Sequence, residues 1–283
     1  MKAIYIKQLI ILFVAMILIT NMQLANAGTS KWKLFKDCTE NKGWKPDKLI
    51  DICTKAIDGQ MGNKKNLAAI YMMRGNGYEI NHETDKALND YNRSIELDPT
   101  RYDALLDRAG AWAAKGAYNR AISDVNTVIK KHFKFAMAYY FRSQIWLEMG
   151  DFKNAIKDSS YAVRLNPRSP RFLNMACWTK AVADVDLQNA LFSCTKALRW
   201  SRNMAEISGS RSLVNLRLNK FEDAIKDANQ ALKIKPKLAS SLFVRGIARI
   251  RLGQKEEGNA DIAAAKEFEP DVEQRYANWG VKP

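Results

Sequence analysis

Residues 85–99 read DKALNDYNRSIELDP, an alternation of apolar and polar residues closed by a proline. The same pattern returns as NRAISDVNTVIKKHF at 119–133, KNAIKDSSYAVRLNP at 153–167 and QNALFSCTKALRWSR at 188–202. It returns twice more, as EDAIKDANQALKIKP at 222–236 and EEGNADIAAAKEFEP at 256–270. The alanine-like position falls at Leu49, Ala87, Ala121, Ala155, Ala190, Ala224 and Gly258, with spacings of 38, 34, 34, 35, 34 and 34. A period of 34 held over seven units is the signature of a repeat array, in which each unit buries its apolar face only against its neighbours.

Each unit also has an earlier half, such as YMMRGNGYEI, LLDRAGAWAAKG or YYFRSQIWLEMG. A small residue follows an arginine, with an aromatic three further on: Gly75 and Tyr78, Ala109 and Trp112, Ser143 and Trp146. Both halves carry apolar residues at i, i+3 and i+4, the period of an amphipathic helix. Gly116, Gly150 and Gly253 fall between the halves, where an interhelical turn needs a permissive backbone. Pro99, Pro167, Pro236 and Pro270 each lie 12 residues after the alanine-like position and end the second helix.

Small-x-x-aromatic in one helix, alanine in the next and proline at the end resemble the tetratricopeptide repeat, over about residues 30–272. The resemblance implies an all-α fold: a right-handed superhelical solenoid of about seven helical hairpins with a concave groove. The tail DVEQRYANWG is expected to form a final helix that caps the last apolar face. Two units depart from the pattern. The unit holding Cys177 has Lys180 in place of the aromatic and Arg202 in place of the proline, and the first unit lacks most signature residues. The expected organisation is a signal peptide over 1–27, a degenerate first repeat over 28–66, repeats over 67–272 and a cap and tail over 273–283.

In this register Cys53 and Cys194 occupy one position, each within the tetrapeptide CTKA, while Cys38 and Cys177 fall near the middle of their units' first helices. Antiparallel helices bring such positions within the Cα limit of roughly 7 Å for a disulfide, whereas Cys53 and Cys194 are separated by four stacked repeats. The expected bridges are Cys38–Cys53 and Cys177–Cys194. Five other units place an arginine and an aspartate 16 residues apart: Arg74 and Asp90, Arg108 and Asp124, Arg142 and Asp158, Arg211 and Asp227, Arg245 and Asp261. The fifth unit has Ala176 and Ser193 there instead. A charged clamp in five repeats and a disulfide in two is the resulting expectation.

The N-terminus bears on the compartment. Lys2 and Lys7 lead into the apolar run LIILFVAMILIT and then NMQLANAG, which reads as a secretory signal cut after Ala27. The run falls short of the ~20 residues that span a bilayer, which disfavours an uncleaved anchor. Export to a periplasm or beyond suits an even cysteine count paired as bridges. It leaves a strongly basic mature chain, from a formal charge of +15 with the leader present. Polyanion affinity follows, toward anionic lipid or envelope polymer; the exported compartment argues against nucleic acid.

No nucleophile, acid–base or metal constellation stands out. His82 and His132 are the only histidines, no C-x-x-C occurs, and no glycine-rich phosphate loop precedes a helix. Neither catalysis nor a cofactor is expected. The resemblance implies that one face of each first helix lines the groove. Helical spacing puts Met72, Asn76 and Glu79 on it, then Asp103 and Leu106, Met137, Tyr140, Gln144 and Leu147, Asn174 and Trp178, Phe243 and Ile247. Such a strip suits a protein or peptide segment, with apolar anchors and amides that bond backbone. The same Met and Trp residues also suit packing between repeats. The alternative function is an envelope-associated module that holds anionic polymer or lipid through its basic faces.

Overall fold

The structure is a computed structural model that describes residues 32–40, 43, 45–59, 62–201 and 204–283. The proposed signal segment and Arg202 lie outside these residues. The described residues are helical, with no strand among them. A first helix, α1, covers residues 32–39, and α2 follows over Pro46–Asp58. The next hairpins are α3 (Lys64–Ile80) with α4 (Thr84–Leu97), α5 (Tyr102–Ala114) with α6 (Tyr118–Lys131), and α7 (Ala136–Glu148) with α8 (Phe152–Leu165). Then come α9 (Pro170–Ala183) with α10 (Leu187–Trp200), α11 (Ala205–Arg217) with α12 (Phe221–Ile234), and α13 (Ala239–Arg251) with α14 (Lys255–Phe268). A short α15, Val272–Asn278, packs on α13 and α14. The chain divides into two compact units, one ending at Asp124 and the other beginning at Val125.

The repeating residues explain the hairpins. Ala87, Ala121, Ala155, Ala190 and Ala224 are fully buried, so any larger side chain there would push the paired helices apart. In the last hairpin even an alanine does not fit. A Cβ on Gly258 would meet the Gly246 carbonyl at 2.7 Å, and one on Gly246 would meet the Gly258 carbonyl at 2.7 Å. Five residues before each alanine-like position the turn demands a left-handed backbone. Gly116, Gly150 and Gly253 supply it (φ 72°, 79° and 83°), while His82 and Asn219 adopt it at 61° and 57°. The fifth unit turns differently, through Asp184 and Asp186, both left-handed. Its Lys180, which replaces the aromatic, pairs with Asp186 at 2.6 Å.

Cys38 is bonded to Cys53 and Cys177 to Cys194, with Cα separations of 5.1 and 5.5 Å. In the five units without cysteine, the arginine grips the aspartate with two bonds. Arg74 Nε donates to Asp90 Oδ2 at 2.7 Å and its Nη2 to Oδ1 at 2.8 Å, and Arg108 does the same to Asp124 at 2.8 and 2.7 Å. The pairs Arg142–Asp158, Arg211–Asp227 and Arg245–Asp261 repeat this geometry.

The arginine's third nitrogen has a partner that spacing alone did not suggest. Arg108, Arg142 and Arg245 each donate through Nη1 to an asparagine 16 residues earlier, Asn92, Asn126 and Asn229, at 2.6–2.7 Å. Arg74 reaches Thr54 at 3.3 Å. These four guanidiniums therefore tie their own hairpins to the second helix of the preceding repeat. The sequence signal is D-x-N in the second helix: Asp90 and Asn92, Asp124 and Asn126, Asp227 and Asn229.

Candidate binding groove

In the second unit, three successive first helices turn one face toward a common groove of about 540 Å³. From α7 come Tyr140, Gln144 and Leu147; from α9, Asn174 and Trp178; from α11, Glu206, Gly209 and Ser210. Leu238 and Ser240 lie on the far side, and α15 with its following residue adds Arg275, Asn278 and Trp279. The four- and three-residue steps within each helix keep these side chains on one face.

Two ring clusters frame the groove. Tyr140 packs on Phe172 with centroids 5.7 Å apart, and burial pushes its hydroxyl above the usual tyrosine range, with Arg171 opposing. Trp178 meets Trp279 edge-on at 5.5 Å, and Trp279 in turn touches Tyr276. Arg275 lies over both Tyr276 and Trp279 while its guanidinium grips Glu269 with two bonds. A Cβ on Gly209 would meet Ser241 Oγ at 2.9 Å, so α11 and α13 approach closely there. Glu206 pairs with Lys235, whose hydrogen bond holds its carboxyl below the ordinary range. Asn174 Oδ1 is enclosed and accepts no hydrogen bond.

The positions expected from the sequence divide into two sets. Tyr140, Gln144, Leu147, Asn174 and Trp178 converge on the groove. Met137 instead packs beside Tyr139, Ala162 and Phe172. Phe243 and Ile247 are buried beneath the C-terminal segment, Phe243 against Tyr276 with centroids 5.0 Å apart, so neither faces a ligand. In the first unit Met72 is buried in the core with Met73 and Tyr91, and Leu106 is buried as well. Helical spacing put both on a presumed open face, but packing between elements closes it.

The rest of the first unit's strip is polar and acidic. Asp103 is exposed and paired with Arg101 at 3.3 Å. One amide atom of Asn76 faces the Met72 carbonyl and the Asp107 carboxylate, at 3.3 and 3.1 Å; two acceptors require the nitrogen there, and it also donates to the Tyr91 hydroxyl at 2.7 Å. Burial raises the Asp107 carboxyl to about 6; the Asn76 hydrogen bond opposes this, while Asp103 and Glu79 add to it. Asp107 was not among the expected residues, because it lies one residue off the face on which Leu106 falls.

A tetratricopeptide-repeat model matches residues 72–132, and a second matches residues 205–238. The chain is a tetratricopeptide-repeat protein. Curated relatives of this repeat protein include the tetratricopeptide repeat and J domain-containing co-chaperone DNJ1 of Cryptococcus neoformans, 37% identical over 23% of this chain and 12% of the relative. The Hsp70-Hsp90 organizing protein of Triticum aestivum is 22% identical over 73% of this chain and 36% of its own length. The chain thus spans well under half the length of these relatives. Among solved structures, a tetratricopeptide repeat protein from Parabacteroides merdae superposes with a TM-score of 0.68 at 15% identity, covering 89% of this chain and 100% of that one. The APC/C Cut9-Hcn1 hetero-tetramer gives 0.70 at 17% identity, covering 87% and 47%. At these identities the structural likeness is one of fold.

Proposed function

We propose that this tetratricopeptide-repeat protein is a non-catalytic interaction scaffold of an exported compartment, holding an extended segment of a partner protein in the second unit's groove. The observation that carries the reading is Asn174. Buried polar atoms are rarely left without a hydrogen bond, and Asn174 lines an aromatic-walled groove with its amide oxygen enclosed and unpaired, so turning that amide into the groove to meet a partner's N–H would satisfy it. A peptide backbone supplies such donors at regular spacing. Gln144, Ser210, Ser240 and Asn278 add further donors and acceptors around it, while Tyr140, Trp178 and Trp279 offer flat apolar walls for side chains. The relative from wheat is named for organizing Hsp70 and Hsp90, which supports scaffolding as the class of activity. Export is supported by the Lys-led apolar stretch at the N-terminus and by a cysteine complement fully engaged in two bridges.

Affinity capture from an envelope extract tests the reading, comparing the wild-type chain with a Tyr140→Ala/Asn174→Ala variant at low and high salt. The expected result is a protein retained by the wild type at both salt concentrations and lost with the variant. Capture that ignores the variant and collapses with salt would remove the groove as the site.

A further inference from the structure

The second unit separates its charge between its two edges. The stretches that join one repeat to the next are KKHFKF at 130–135, RLNPRSPR at 164–171, the end of α10 from Lys196 to Ser201, and KIKPK at 233–237. Together they carry eleven Lys or Arg and no Asp or Glu. The turns inside the hairpins, on the opposite edge, read EMGDF at 148–152, DVDL at 184–187, NKFED at 219–223 and GQKEE at 253–257, with eight acidic residues and two basic. Glu206 reaches the basic edge and is paired there with Lys235.

The basic edge also carries exposed rings. Phe133 is 60% exposed and Trp200 53%, and Phe192, one face up α10, is 65% exposed. Phe192, Lys196, Arg199 and Trp200 share a shallow cleft on that helix. Neighbouring connections touch: Arg168, in the connection after α8, lies 5.5 Å from the Trp200 ring at the end of α10, and Lys237 lies 5.5 Å from the Phe268 ring at the end of α14. The basic run stops there, since the connection after α14 is the acidic EFEPD at 267–271.

We propose that this edge of the second unit docks on the anionic surface of a lipid bilayer. Cations beside projecting aromatics match the two layers of such an interface, with phosphates meeting the Lys and Arg heads and rings entering the headgroup region. A soluble polyanion would use the charges but gain nothing from exposed rings. None of the described helices is long and apolar enough to cross a membrane. Docking through this edge leaves the groove open on the first-helix faces, with Glu206 on the border between the two surfaces.

The test is co-sedimentation of the full chain with vesicles of phosphatidylcholine alone and of phosphatidylcholine containing phosphatidylglycerol, the readout being the ratio of the two partition constants. The Lys-led apolar N-terminal stretch is common to the wild type and every variant, so the change in the ratio between them reports on the edge. The variant Lys131→Glu/Lys134→Glu/Lys237→Glu should lower that ratio at least about tenfold, given the weight of each juxtamembrane cation. The charge-matched Lys153→Glu/Lys220→Glu/Lys255→Glu on the opposite edge should leave it within about twofold. Phe133→Ser/Trp200→Ser should lower partition into anionic vesicles about threefold or more. Thermal melts establish that each variant is folded, and the milder Lys131→Gln/Lys134→Gln/Lys237→Gln replaces the reversal if that one is not. Equal losses from the two charge reversals would overturn the proposal, because net charge alone would then act. Unchanged partition of the aromatic variant would also overturn it, in favour of a soluble polyanion. So would a wild-type ratio near one.

Discussion

Arg142 and Asp158 are joined by two parallel bonds, Nε to Oδ2 at 2.6 Å and Nη2 to Oδ1 at 2.8 Å. Asp158 is almost fully buried, and Trp146 Nε1 also donates to it at 3.1 Å. A carboxylate so placed is tolerable only while its charge is met, and removing the partner of a buried pair typically costs about 3–5 kcal/mol. Arg142→Ala should therefore destabilise the second unit by about that amount in urea unfolding. Arg142→Lys keeps the charge but cannot span Asp158 and Asn126 together, so it should cost roughly half as much. If the alanine variant loses less than about 1 kcal/mol, the clamp is ornamental.

The Cys177–Cys194 bridge closes 17 residues and joins α9, which carries Asn174 and Trp178, to α10. Cross-linking a loop of this size stabilises by about 3 kcal/mol. Cys177→Ala/Cys194→Ala should lower the unfolding free energy of the second unit by about that much and weaken ligand binding in the groove. Cys38→Ala/Cys53→Ala should instead loosen the first hairpin, residues 32–58, and leave groove binding unchanged. Urea unfolding and hydrogen exchange on the two variants separate these effects.

Asp107 gives the first unit a distinct pH response. Its carboxyl sits at about 6 in the folded chain, raised first by burial, against roughly 3.9 when unfolded. Between those values the folded state holds a proton that the unfolded state has released. The stabilisation is full below about pH 4 and is lost as pH rises through about 6. Asp107→Asn keeps the neutral form at every pH. The variant should match the wild type near pH 4 and exceed it by about 1–2 kcal/mol above pH 7, after allowance for solvent screening. Paired denaturant titrations across that range would show a difference flat with pH if the assignment is wrong.

The array was legible because its causes are local and recur. A buried alanine, a left-handed turn residue and a terminating proline act within one hairpin, so Ala87, Gly116 and Pro167 announce themselves in the chain. The helix-to-helix clamps were legible for the same reason, since equal spacing in five units puts Arg74 and Asp90, for example, at matching heights. Openness of a face was not, because it depends on what covers it. Met72 and Tyr140 hold the same register relative to Arg74 and Arg142, yet one is buried in a core and the other lines the groove. Glu206, Gly209 and Ser240 follow from that same register applied to Arg211 and Arg245. Trp279 and Arg275 had no such signal, because the tail lies outside the period and reaches the groove wall only through tertiary packing.

That packing is anchored by Arg217, whose side chain is 8% exposed. It pairs with Asp184 at 3.0 Å and donates to the Val182 carbonyl at 3.2 Å and to the Trp279 carbonyl. Burial pushes this guanidinium below its ordinary value, with Asp184 opposing, so the three contacts offset a real desolvation cost. One residue thereby ties the irregular turn of the fifth unit and the C-terminal cap to α11. Arg217→Met keeps the apolar stem and removes all three contacts. The cap should then detach before the repeats unfold, because α15 has only seven residues and cannot hold itself as an isolated helix. Hydrogen exchange should rise at least about tenfold in residues 272–279, with α7 and α8 unchanged, and groove binding should weaken as Trp279 leaves Trp178. Exchange that rises uniformly across the second unit would instead make Arg217 a global stabiliser and leave the cap held by Phe243 and Tyr276 alone.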